Sequence, residues 1–203
     1  MEPRQTYALA AAGFVELVER LPGDRWEAPG LGVWDLRALV GHTSRALVTA
    51  DSYLDRPASA EDITSPEAYF LAAAQSGGRA DPTAVAERGR QAGAALGDDI
   101  AASVLTLAER VLSRVVEAGD PVIETIAGGM RLSTYLPTRT FELVVHSFDI
   151  AAAAEVAPPT FGADVLAEVA ALAARVGVGR GQAADVILAL TGRRPLPAEF
   201  SVL

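Results

Sequence analysis

His42 and His146 are the only imidazoles in the chain, and Glu142 stands four residues before the second of them. Residues four apart on a helix share a face, about one turn apart, so Glu142 and His146 can aim at a common point. His42, on another helix, would add a third donor from across a bundle core. Two imidazoles and one carboxylate suit a divalent cation and leave positions open for water or substrate. Zinc is the first expectation for this set, and nickel, manganese or iron also fit. Such a cation acts as a Lewis acid or lowers the pKa of a bound water or thiol. Spacing alone leaves other readings open. A lone helical histidine is commonly a hydrogen-bonded core residue, and a Glu-x-x-x-His pair is commonly a surface pair. The neighbours of Glu142 sharpen the choice. Phe141, Leu143, Val144 and Val145 make this helix apolar nearly all round. An inward carboxylate is costly there without a partner, and a metal is a natural one.

Other charged residues fall at helical steps from these three. Asp149, one turn beyond His146, could orient a ligand or serve as a base, or form an ordinary salt bridge. Arg45, one turn beyond His42, could hold an anionic substrate, or be solvated. Arg139 lies one turn before Glu142 with Tyr135 just ahead of it, and either could line the site or be structural. Arg193 and Arg194, in the tail, could reach its mouth or form a surface pair. The run Gly177-Val178-Gly179-Arg180-Gly181 follows a helix rather than a strand. It therefore reads as a helix stop and turn, not a phosphate loop. Trp34 reads as core packing where its helix begins.

Four long helices must position these groups. Residues 4–21 place Tyr7, Ala10, Phe14, Leu17 and Leu21 on one face, with Pro22-Gly23 as the stop. Residues 35–54 repeat apolar or small side chains at Leu36, Leu39, Val40, Thr43, Leu47 and Ala50. Asp35 or a neighbour supplies negative charge at the helix start. Asp81-Pro82 reads as the start of a third long helix reaching Ala118, bent near Gly97. Residues 135–155 form the fourth, with Thr134 as a cap and Pro137 in its first turn. The 56–81 connection, interrupted by Pro57, Pro66 and Gly77-Gly78, would be a crossover with a short helix near 66–75. Residues 122–127 and 130–134 suggest a small hairpin turning across Gly128-Gly129. Helices near 162–176 and 182–191 end the chain. The expected division is a bundle over residues 1–155 and a short helical extension, 156–203, packed on it.

Composition bounds the function. The chain has 203 residues, half of them apolar, enough to bury a sizeable core. A net charge of −9 and no arginine run argue against nucleic-acid partners. No stretch suits a membrane span and no leader is evident, so the expected location is cytoplasmic. Cysteine and lysine are absent. Neither a thiolate nor a Schiff-base nucleophile can therefore come from the chain itself. A small-molecule substrate is the expected partner, and an alanine-rich bundle could also form a homodimer.

Two segments carry a resemblance. Trp34-Asp35-Leu36 through Leu39-Val40-Gly41-His42, together with Arg139–Asp149, RTFELVVHSFD, resemble the DinB-like metal-binding superfamily. Within it they resemble the mycothiol-dependent maleylpyruvate isomerase group. Leu190-Thr191-Gly192-Arg193 is similar to a segment near the end of that group. The resemblance implies a mostly-α fold: a DinB-like four-helix bundle with a long crossover and a hairpin before its last helix. It implies a divalent metal on residues matching His42, Glu142 and His146, and in some members a thiol cosubstrate, mycothiol. The full isomerases carry a further α/β domain; residues 156–203 here read only as a short helical extension. The expected function is a metal-dependent isomerase or thiol transferase acting on a small anionic electrophile. Asp149 and Arg45 would assist catalysis, and Arg139 and Arg193 would bind a cofactor or substrate acid. The alternative is a non-catalytic metal- or ligand-binding module of the same superfamily.

Overall fold

The structure is a computed structural model and describes residues 1–75 and 82–202. In chain order the helices are α1 (Pro3–Glu19), α2 (Leu36–Leu54), α3 (Pro66–Gln75), α4 (Pro82–Ala95) and α5 (Ile100–Glu117). Strands β1 (Val122–Thr125) and β2 (Gly128–Arg131) follow, then α6 (Leu132–Ala154), α7 (Ala163–Gly179) and α8 (Ala183–Leu190). Among the described residues the fold is mostly helical, with one antiparallel hairpin leading into α6, consistent with the mostly-α bundle that the resemblance implies. No helix among the described residues is long and apolar enough to cross a membrane.

The bundle is α1, α2, α5 and α6. Helices α1 and α2 each pack on both α5 and α6. The face of α1 read from periodicity is the one buried: Tyr7, Ala10, Phe14 and Leu17 are sealed, and Leu21 just beyond joins them. On α2, Leu36, Leu39, Val40, Thr43, Leu47 and Ala50 are all buried. Asp35 caps α2, its side chain accepting from Ala38 N at 2.7 Å. That bond satisfies one of the free N–H groups at the helix start.

The expected single helix over 82–118 is two helices. Gly97 adopts φ +70°, a left-handed conformation that costs glycine little, and the chain turns there. Asp99 then caps α5 by accepting from Ala102 N. Only α5 joins the bundle. Helix α4 lies against α2 from outside, so the crossover runs from α2 through α3 and α4 to α5. The Gly77-Gly78 pair and Asp81 lie outside the described residues, and Pro82 opens α4. The α2–α4 crossing is close. A Cβ on Gly41 would stand 2.1 Å from Gly93 N, and a Cβ on Gly93 would stand 2.6 Å from Arg37 O. Both distances are far inside van der Waals contact, so hydrogen is the largest substituent that fits at either position.

The hairpin turns at Ile126-Ala127, not at Gly128-Gly129: Thr125 pairs with Gly128 and Val122 with Arg131. Thr125 Oγ1 takes Ala127 N–H and donates to Gly128 O, which tightens a turn whose two central residues are not glycine. Helix α6 starts three residues before the expected point. Its cap is remote rather than Thr134: Asp120 accepts from both Ser133 N and Ser133 Oγ, at 2.7 and 2.9 Å. Pro137 therefore falls in the second turn, where its missing N–H removes one intrahelical bond. At the far end, Glu155 takes φ 58° and closes α6. Helix α7 packs on α3, α6 and α1. It continues through Gly177 and Gly179, and the stop in that glycine run falls at Gly181, φ +81°.

Candidate metal centre

Helix α6 packs against α2 and carries Glu142 and His146 one turn apart. The side chains of Glu142 and His146 are only 20% and 14% exposed. His42 projects from α2 toward them, its ring edge-on to that of His146 with centroids 5.0 Å apart. One ligand atom each from His42, Glu142 and His146 lies within 4.8 Å of the others, and this is the one such group among the described residues. Donors bonded at ~2.0–2.2 Å to one tetrahedral ion stand about 3.3 Å apart. The Glu142 Oε2–His146 Nε2 separation, 3.2 Å, already has that value.

The electrostatics of the three groups differ. Burial lowers the His42 pKa to about 4, helped by the charge of His146. His42 is therefore a neutral imidazole with a free lone pair at neutral pH. Its Nδ1 is buried without a hydrogen-bond partner. Trp34 stacks on it, centroids 4.4 Å apart, and Trp34 Nε1 donates to Ala86 O of α4 at 3.0 Å. For His146, burial works downward, but hydrogen bonds to Asp149 and Glu142 outweigh it and raise the pKa to about 9. Burial would raise Glu142, yet the His146 hydrogen bond and the Arg139 charge bring it below the ordinary carboxylate value. The cluster thus holds an imidazolium, an ionised carboxylate and a neutral imidazole.

Asp149 Oδ2 meets His146 Nδ1 at 2.9 Å. This fixes the ring so that Nε2 faces Glu142 and His42, the second-layer contact that metal-ligating histidines usually have. Engaged in that way, Asp149 positions His146. Arg139 is also near: it is buried, and its charge acts on both Glu142 and His42. Arg45 acts on His42 more strongly than Arg139 does, and it lines a groove between α2 and α4 with Gly41, Ser44 and Arg88. Arg193 is not brought to the cluster. It is exposed past the end of α8, where it donates to Thr191 O, and Arg194 pairs with Asp185.

Two contributors were not legible as such. Trp34 reads as core from its type, but it is the surface on which His42 rests. Tyr69 comes from α3 in the irregular crossover, where no periodicity marks it, and it reaches the Arg139 guanidinium at 5.4 Å. An aromatic eight residues before a lone histidine was the only trace of the first, and nothing in the sequence signalled the second.

A helical bundle with two imidazoles and a carboxylate meeting between α2 and α6 defines a class of protein, the DinB-like bundles. The chain belongs to the family described as the mycothiol maleylpyruvate isomerase N-terminal domain, which it matches over residues 7–151. Neither a curated protein nor a solved structure matches it.

Proposed function

We propose that His42, Glu142 and His146 hold a divalent cation, zinc first among those that suit the donors. In this reading the chain is an enzyme joining a thiol or water to a small electrophile. The observation that carries it is the convergence of these three donors from two helices, with Asp149 hydrogen-bonded behind His146. The orphaned Nδ1 of His42 supports it, since a buried imidazole nitrogen without a partner is costly in a protein that makes no use of the ring. Such a cation lowers the pKa of a thiol or water that reaches it. The chain's own residues do the rest. Asp149 holds His146 in the tautomer with Nε2 inward, Trp34 fixes the ring plane of His42, and Arg139 adds to the His146 contact in keeping Glu142 ionised. The chain has no cysteine, so a thiol nucleophile must come from outside, and the family description points to mycothiol.

The test has two stages. Protein purified without added metal is assayed for metal content, with one ion per chain expected, and the loaded protein is then assayed for mycothiol-dependent turnover of a panel of electrophiles. Full occupancy without turnover would leave a binding module and remove the enzyme. Absence of metal under all loading conditions would remove both.

A further inference from the structure

We propose that the groove between α2, α4 and α5 binds an amphipathic anion, an aliphatic chain ending in a carboxylate, through Arg45 and Arg88. The groove has a volume of about 400 Å³, within the range of small-molecule sites. Val48, Ala92, Ala95, Leu96 and Leu107 supply its apolar lining, and Leu96 and Leu107 are nearly buried. No carboxylate lines it, although the chain carries 26 acidic residues. The other polar groups there are engaged. Ser44 Oγ donates to Val40 O at 2.8 Å, and Ser103 Oγ donates to Leu96 O at 2.7 Å. Gln91 Nε2 donates to Glu87, which Arg90 also meets. Asp51, one turn beyond Val48, is held by Arg110 and Arg114. Arg45 and Arg88 have no hydrogen-bond or ion-pair partner among the described residues.

Two uncommitted guanidiniums beside an apolar trough match a ligand with both parts, an anionic head and a hydrocarbon body. A small inorganic anion would leave the apolar lining wet, and a neutral hydrocarbon would make no use of the charges. From Gly41 to Val48 the α2 wall runs about 10 Å, the extent of a medium-length aliphatic chain. Charge separates this groove from the one between α1 and α5, where Val15, Leu105 and Leu112 are accompanied by Glu16, Glu19 and Glu109. The first groove attracts an anion and the second repels it. The α2–α4–α5 groove shares no lining residue with the group His42, Glu142 and His146, so the proposal does not rest on the metal-dependent reading.

The experiment uses the whole chain, metal-free, with monomeric decanoate as probe. Decanol is the counterpart without the charge, and propionate the counterpart without the chain. Decanoate is expected to bind saturably, and both counterparts at least tenfold more weakly. Replacing both arginines, Arg45→Gln with Arg88→Gln, should weaken decanoate by tenfold or more. Val48→Glu sets a carboxylate at an exposed position on the groove wall and should have an effect of the same size. A second readout needs no variant and so covers poor folding. In wild-type protein with ¹³C-labelled methyl groups, intermolecular NOEs should join the decanoate chain to Leu96 and Leu107. Equal binding of decanol, undiminished binding in Val48→Glu, or NOEs to Leu105 and Leu112 in place of Leu96 and Leu107 overturns the proposal. Failure of decanoate to bind at all does the same.

Discussion

Helix α2 carries charge chemistry toward both ends, and the two ends are built on opposite plans. Near its C-terminus, Asp51 meets Arg110 and Arg114 of α5 at 3.0 and 2.6 Å, and Arg114 also reaches Asp55. Every group there has an opposite charge, and water reaches the arginines. In its first half, His42 faces Glu142 and His146 in an apolar setting with one ring nitrogen unbonded. The first arrangement is complete and inexpensive to lose. The second is buried and incomplete, which a folded chain tolerates when something else completes it.

That contrast can be broken most sharply at His146. His146→Ala should take metal content from one ion per chain to none by elemental analysis; full occupancy in the variant would remove the assigned centre. Next in size is the crossing beside His42. Gly93→Ala drives a methyl into the Arg37 carbonyl and should destabilise the chain by about 3 kcal/mol in chemical denaturation. An unchanged denaturation midpoint would mean that α4 can lift from α2 at no cost. Asp149→Asn keeps the shape and loses the charge behind His146, and metal affinity should fall roughly 10- to 100-fold in a competition titration.

The pH response of the metal-free chain sharpens the comparison further. Its His146 pKa, about 9, is above the unfolded value of 6.5, so that group's contribution is fully present below 6.5 and lost as pH rises through 9. The His42 pKa, about 4, is below 6.5. The unfolded chain takes up a proton there that the folded chain refuses, so stability falls as pH drops from 6.5 toward 4. Denaturation midpoints should fall on both sides, and His146→Gln should flatten the alkaline side and lessen the acid-side loss, because the His146 charge helps hold the His42 pKa down. Because an ion must displace the His146 proton, metal affinity should also weaken as pH falls below about 9. The smallest effect belongs to the other end of α2. Asp51→Asn should scarcely move the melting temperature, and the difference should vanish in 1 M salt.

How much of this could be read beforehand follows the same division. The faces of α1 and α2 were legible because apolar side chains repeat at helical steps. The donor set was legible because the chain has only two histidines, one of them four residues from a glutamate in an apolar run. The break at Gly97 was read as a bend because the apolar pattern continues on both sides, while the change is a single residue's φ. The start of α6 was misplaced because its cap, Asp120, lies across the hairpin rather than at the adjoining residue. The turn at Ile126-Ala127 was masked by the glycine pair next to it. The place of α4 was not legible at all: it is set by side chains that are missing, and hydropathy patterns register only those that are present.

Those missing side chains have a consequence for how such a chain can diversify. Gly41, Gly89 and Gly93 allow α4 to lie against α2 and let the Trp34 indole slide beneath Gly89, where a Cβ would stand 2.5 Å from Nε1. They set the dimensions of the wall behind His42 and contribute no donor atom. A descendant could exchange its histidines and still assemble the same enclosure around different contents. One that gained a methyl at the crossing would keep every ligand and lose the wall that aims the first of them. Lineages with altered chemistry should therefore be traced by the glycines, and the histidines will report only which of them kept the old one.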